Sequence, residues 1–266
     1  MSMPKISIEI PLTWGKHLQE QLEAIRKQSY QEYEISIASS MPRGMCEDLI
    51  RDYGAKVTYC GPNILEKRYY AHKFSRGEYS LLLDETRIPS YDLLMKLQAM
   101  NEDMVIIDER DIGSGFWVRM ANLDKINSLE CNSFLATMGF VLPRYFRYGL
   151  LTEAFDVLKK SLDGSAFKSV VMEDHQLIYY EASKLSNSIS ILKGNYLSHY
   201  GDMTLLSILR KYHNYGKRHR ILKNTHYREL LAPRNRIRTI CSDNKLGLFI
   251  FYLARGIPFL IGYYFI

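Results

Sequence analysis

GEYSLLLDETRIPS, Gly77 to Ser90, is the stretch that decides how the chain is read. An apolar run, Leu81-Leu82-Leu83, feeds into Asp84-Glu85-Thr86, and the pattern stops at Pro89. Such a run reads as a buried strand that ends by presenting two carboxylates. In open parallel sheets, ligands bind beyond the carboxyl ends of the strands, so Asp84 is a first candidate for a binding residue.

The sequence on either side supports a parallel sheet. Lys5 to Ile10 reads as a strand, and Thr13 as the cap of a helix whose apolar stripe is Leu18, Leu22 and Ile25. Tyr33 to Ala38 is a second strand, Met45 to Tyr53 a short helix and Lys56 to Tyr59 a third strand. A helix over Ile64 to Ser75 then leads into the strand at Tyr79 to Leu83. Strands alternating with helices predict parallel pairing through right-handed crossovers. Further on, helices are expected at Asp92 to Met100 and Asp174 to Leu185, and strands at Met104 to Ile107, Ser133 to Leu142 and Ser188 to Leu192. Asp108 to Gly115, DERDIGSG, reads as a charged, glycine-bearing loop. The predicted class is α/β, a Rossmann-like, mostly parallel central sheet flanked by helices.

Composition narrows the function. The chain has 266 residues, 47% hydrophobic and 24% charged, which argues against disorder and allows one large core. Cys46, Cys60, Cys131 and Cys241 lie far apart with no CxxC pair, so neither a zinc site nor a disulfide scaffold is expected, and a reducing compartment fits. The strand pattern begins at once, leaving no room for a signal peptide. His213, His219 and His226 are spaced by six and seven, which does not align them on one helix face, and their basic surroundings read as surface. Of the net charge of +6, the segment Lys217 to Lys245 carries +7 and the remainder is near neutral. Leu246 to Ile266 comes next, with Arg255 its only charge. A basic collar before an apolar tail is the signature of a membrane surface rather than of nucleic acid. Gly256 and Pro258 interrupt the tail at its centre, which predicts two short helices lying in the interface.

Over roughly residues 4 to 215 the chain resembles the family 2 glycosyltransferases, which have the GT-A fold. ISIEIPL, QSY, YEISIAS, GEYSLLLDE, the MED of Met172 to Asp174, and a late His199 with Arg210 and Tyr215-Gly216 carry the likeness. The resemblance implies an inverting transfer of sugar from a nucleotide-diphosphate donor to a glycan or lipid-linked acceptor. Inversion needs a base for the acceptor hydroxyl, and the family's ED pair assigns that role to Asp174, with Glu173 in reserve. On their own the two would read as an acidic helix N-terminus. For the donor, the resemblance implies Pro11, Ser39, Lys67, Arg68, Asp84, Glu85 and Thr86. Asp84, Glu85 and His199 would face a divalent metal, Mg²⁺ or Mn²⁺.

Two positions depart from the family pattern. Thr86 stands where the DxD motif has its second aspartate, so either Glu85 swings in or cations such as Arg87, Lys67 or Arg68 do part of the neutralising. Ser39 stands where an aspartate usually contacts the base. The resulting expectation is a transferase domain over 1–200 and a basic, hydrophobic helical extension over 201–266. The extension would hold the protein at the cytoplasmic face of the cell membrane as a peripheral or monotopic protein. The alternative is a degenerate, non-catalytic fold that binds membrane or partners.

Overall fold

Every residue of Ile6–Leu12 is buried, and this strand, β1, is the one about which the sheet is laid out. The computed structural model describes residues 5–45, 47–131, 142–170, 173–201, 203–228, 230 and 239–265. After β1 come α1 (Leu18–Arg26), β2 (Tyr33–Ser39), α2 (Glu47–Asp52), β3 (Lys56–Tyr59), α3 (Ile64–Lys73) and β4 (Tyr79–Leu82). The middle of the chain supplies β5 (Arg87–Pro89), α4 (Leu93–Gln98), β6 (Met104–Asp111), α5 (Phe116–Cys131) and β7 (Tyr145–Arg147). Then come α6 (Tyr148–Ser161), α7 (Gly164–Phe167), α8 (Asp174–Leu185) and β8 (Ile189–His199). α9 (Leu205–His219) and α10 (Lys245–Tyr264) complete the order, with short 3₁₀ turns between them.

The sheet has eight strands in the order β3-β2-β1-β4-β7-β6-β8-β5. β1 pairs in parallel with β2 and with β4, Ile6 lying opposite Tyr33 on one side and Tyr79 on the other. The chain therefore winds outward to β3 and crosses back to β4. That reversal makes the carboxyl ends of β1 and β4 a switch point, where a crevice opens. β7 is antiparallel to both of its neighbours, and β6 and β8 run parallel beyond it.

Strand alternation separates two cores. Leu81 joins Ile8, Ile10, Leu18 and Leu22 on one face, while Leu82 joins Phe146, Phe155, Leu177 and Ile178 on the other. Burying each such side chain contributes about 1.5–3 kcal/mol, which is why this sheet tolerates charged groups at its strand ends.

Some expectations are corrected. Thr13 caps nothing: α1 starts at Leu18, with His17 at its N-cap. DERD is not loop but the end of β6, which keeps pairing with β8 to Asp111. Its charges are accommodated because this end lines a cavity rather than the core. β8 likewise runs on to His199, past a register break near Gly194 and Asn195, both at positive φ. The expected strand at Ser133 to Leu142 falls almost wholly outside the described residues, and α5, β7 and α6 were not foreseen.

The C-terminal extension packs on the sheet domain. α10 is one helix of 20 residues that continues through Pro258, not two broken pieces. Its buried face holds Pro258 and Phe259 against α9, and that packing carries it across the carbonyl that proline leaves unbonded. Gly216 of α9 lies against the backbone of Phe259 and Tyr263, and Gly262 of α10 against that of His213 and Lys217. Arg255 turns inward: it bonds Asp124 of α5 at 2.7 Å and lies 4.7 Å from the Tyr212 ring and 4.9 Å from that of Phe251. A further tie is covalent. Cys131 and Cys241, 110 residues apart, form a disulfide with Cα atoms 6.3 Å apart, against the expectation of none. Their spacing concealed a pair that only the docking of the extension on α5 brings together.

Close backbone contact makes a sharp contrast between two glycines of the helix pair. Gly216→Leu would drive a side chain into α10 and should cost about 1–3 kcal/mol, lowering Tm by roughly 2–4 °C per kcal/mol. Gly256 faces open space, so Gly256→Ala should leave Tm unchanged or raise it. Thermal unfolding of both variants checks this; equal Tm values would mean that α9 and α10 are not in contact.

Candidate active site

α3 supplies the first unusual feature, because its adjacent cations Lys67 and Arg68 are 1% and 2% exposed. The helix passes beneath the carboxyl ends of β1, β2 and β4 and points both side chains into the crevice. Lys67 Nζ donates to the Leu12 carbonyl at 3.2 Å, to Thr13 Oγ1, and to Ser40 Oγ at 3.4 Å. All three are neutral oxygens at the ends of β1 and β2. Burial lowers the Lys67 pKa, with the Glu85 carboxylate opposing.

Arg68 joins two distant segments. Its Nη2 donates to Asp84 Oδ1 and its Nε to Asp174 Oδ2. Asp84, at the tip of β4, also accepts from Arg87 Nη1 and, at 3.3 Å, from Arg144 Nη1. Arg87 and Arg144 in turn reach Glu109 of β6 at 2.7 and 3.3 Å, and Lys125 of α5 reaches it at 3.1 Å. Burial pushes the Asp84 and Glu109 carboxyls up, but these cations outweigh it and hold both well below the usual carboxylate range. Asp174 differs: burial raises it, and the single guanidinium of Arg68 only partly opposes.

His175, next to Asp174, is driven well below its ordinary pKa by burial and by Arg68 and Arg144. Its ring is therefore neutral. Its Nε2 accepts from Arg144 at 3.0 Å, which leaves the proton on Nδ1, a buried atom with no hydrogen-bond partner.

The remaining sequence candidates divide. Glu85 points away from Asp84, and its carboxylate accepts from the backbone N–H groups of Thr13, Trp14 and Gly15 at 2.9–3.1 Å. It fixes the loop after β1. Thr86 gives its carbonyl to the Tyr200 N–H at 2.8 Å, tying β5 to the end of β8. Ser39 ends β2 and accepts from the Met41 N–H at 3.1 Å, and Pro11 lies within β1 opposite Ala38. Glu173 is 1% exposed and bonds His219 Nδ1 at 2.6 Å. The latter is accordingly buried, not on the surface. His199 sits across from Arg87 in the β5–β8 pairing, its Nδ1 on Asp111.

Beside the network lies a cavity of about 330 Å³, lined by Arg87, Glu109, Arg144, His175 and His199 on the sheet side. α9 and α10 close it with Ile208, Tyr212, Phe251 and Arg255. Sequence reading missed Glu109, Arg144 and His175. For Glu109 a signal existed: MVIIDE repeats the form of LLLDE, an apolar run ending in carboxylates.

The donor set does not suit a divalent metal. Mg²⁺ and Mn²⁺ need several hard oxygen ligands in near-octahedral array. Both Asp84 oxygens are taken by guanidinium groups, Glu85 is engaged elsewhere, and Thr86 offers a neutral hydroxyl. No group of three or more His, Cys, Asp or Glu residues placed to hold a metal occurs among the described residues.

Comparison with known proteins places the fold. No family model and no curated protein matches the chain. Among solved structures it is similar to S. aureus TarS 1-349, with a TM-score of 0.57 and 17% identity over 95% of this chain and 72% of that one. The same protein in complex with UDP-GlcNAc gives 0.56 and 18%, over 86% and 70%. A mannosyltransferase, PcManGT from Pyrobaculum calidifontis, in complex with GDP-Man and Mn²⁺, gives 0.50 and 13%, over 96% and 74%. The chain therefore has the α/β, GT-A-like architecture of these glycosyltransferases.

Proposed function

We propose that this chain is an inverting glycosyltransferase that moves a sugar from a nucleoside-diphosphate donor to an acceptor presented at a membrane surface. One observation carries the reading. Arg68 brings Asp84 and Asp174, ninety residues apart in sequence, to one point at the switch of the sheet. Structures of this fold are known with UDP-GlcNAc and with GDP-Man, and here the crevice at β1, β2 and β4 would take the nucleotide.

In this reading the acceptor enters the cavity beneath α9 and α10 and reaches Asp174 past His175, which lines that cavity where Asp174 does not. Asp174 takes the proton of its hydroxyl as the oxygen attacks the anomeric carbon, and the nucleoside diphosphate leaves on the opposite side. The bond between the anomeric carbon and the phosphate oxygen breaks as the new glycosidic bond forms. Buried cations lower the energy of the charge that develops on the departing diphosphate. A raised pKa suits Asp174 to the task, since a stronger base accepts the proton more readily. Among the described residues the crevice offers no set of ligands for a divalent ion, so the neutralising groups are the buried cations themselves.

The membrane part of the proposal rests on α10. It is long and apolar enough to cross a bilayer, with mean hydropathy 1.6 and a third of it buried. Its only charge past the first residue is Arg255, which pairs with Asp124, so the outward face of Phe249, Leu253, Ile257 and Leu260 is wholly apolar. Exposed Lys217, Arg218, Arg220 and Lys223 flank it. A docked helix with this face suits the interface better than a span, because leaving α5 would expose Arg255 to lipid at about 2.5–3.5 kcal/mol.

Both parts can be tested. Asp174→Asn should lower turnover by about 100-fold or more while leaving nucleotide binding in place. The wild-type rate should fall as pH drops through a value above that of an ordinary aspartate, because the base works deprotonated. A variant with near-normal turnover, in a screen of nucleotide sugars, would remove Asp174 from the mechanism. For the membrane, the full chain should float with vesicles containing about one-third anionic lipid and be partly released by high salt. Leu253→Glu with Ile257→Glu should abolish flotation without unfolding the chain. Wild-type protein that stays monodisperse without detergent and does not float would refute the membrane reading.

A further inference from the structure

The crevice gathers three buried guanidinium groups at one point. Arg68, Arg87 and Arg144 come from α3, β5 and the residue before β7, three separate parts of the chain, and converge on the single carboxylate of Asp84. Side-chain exposure is 2% for Arg68 and 12% for each of the others. Asp174 and Glu109 share these arginines with Asp84, so three guanidinium groups face three carboxylates, with Lys67 beside them. Two of them, Arg87 and Arg144, also line the cavity.

Each guanidinium carries five N–H donors in a planar fork suited to phosphate oxygens, and the carboxylates here use only part of that number. Arg68 Nη1 is buried without a hydrogen-bond partner. Lys67, one residue away, is a buried ammonium held by neutral oxygens, with no carboxylate within 4.0 Å among the described residues. An unpartnered buried donor and a buried cation with no carboxylate in contact are both costly unless an anion completes the site. A divalent cation at Asp84 would instead add positive charge among three guanidinium groups. The oxygens that would have to bind it, those of Asp84 and Glu85, are already engaged.

We propose that the diphosphate of the donor is held by Arg144 and Arg87, with Arg68 and Lys67 behind them, in place of a divalent metal. This rests on the reading of the chain as a nucleotide-sugar transferase. Arg144 is the residue that distinguishes it: it bridges Asp84, Glu109 and His175, so it can release one partner to a phosphate oxygen and keep the others.

The experiment is a calorimetric titration of the full chain with UDP and with GDP, once in EDTA and once with Mn²⁺. At least one nucleotide should bind, with a Kd that agrees within about threefold between the two conditions. Arg144→Gln should weaken that binding by about tenfold or more in EDTA, the worth of a lost charge-assisted hydrogen bond, and Arg144→Lys should recover part of it. Unfolding scans of both variants separate lost binding from lost fold, and the comparison of EDTA with Mn²⁺ on the wild type stands even if Arg144→Gln does not fold. Binding that needs Mn²⁺ would overturn the guanidinium proposal and leave the transferase reading intact. Wild-type affinity in a folded Arg144→Gln would overturn the role of Arg144. Failure of both nucleotides to bind in either condition would overturn both readings together.

Discussion

The bond network of Arg68 is the constraint on which the rest of the site depends. Its guanidinium is 2% exposed and lies between Asp84, at the end of a strand, and Asp174, at the start of a helix. Removing one partner from a buried pair leaves an uncompensated charge at a cost of about 3–5 kcal/mol. The position of α8 against the sheet is thus coupled to the charge state of the crevice. Asp84 cannot be read as an isolated ligand, nor Asp174 as an isolated base.

The sequence made the first half of the fold legible because that half is built from local periodicity. The strands β1 to β4 and the helices between them arise from apolar runs and from the i, i+4, i+7 stripe of α1, all of it buried. Beyond β5 the signal weakens for physical reasons. β6 carries four charged residues at its end, which hydropathy reads as loop, although three of them, Asp108, Glu109 and Asp111, line a cavity. β7 has three residues, too few for any period, and owes its place to pairing with β4 and β6. α10 appeared broken because Gly256 and Pro258 are poor helix formers in isolation. Tertiary packing on α9 overrides that propensity.

The site was legible only in part, and along the same division. Asp84, Lys67, Arg68 and Asp174 lie in segments whose order and spacing carried a family resemblance, and the structure gathers them in one crevice. Glu85 could not be assigned without coordinates, because whether the chain stays extended past Leu83 decides which way it points. It points to the backbone of Thr13 to Gly15. Arg144 belongs to no motif. It reaches Asp84 because the antiparallel β7 inserts between β4 and β6, a topological fact that a linear sequence does not display.

That insertion also bears on how the C-terminal extension relates to chemistry. Composition divides the chain near residue 200, but the packing does not isolate the extension from the crevice. Glu173, beside the proposed base, bonds His219 at the end of α9, and the His219 ring lies 5.3 Å from that of Phe259 and 5.7 Å from that of Tyr263 on α10. Arg255 of α10 and Tyr212 of α9 line the same cavity as Arg144 and His175. Two close-packed glycines and the Glu173–His219 pair thus connect α10 and α9 by direct contact to the residue next to Asp174. Removing α10 outright would uncover Met120, Ala121, Ile208 and Asp124 and take Phe251 and Arg255 out of the cavity wall. The extension is a structural part of the cavity, and in the proposed mechanism a surface that held α10 would also bear on how an acceptor meets Asp174.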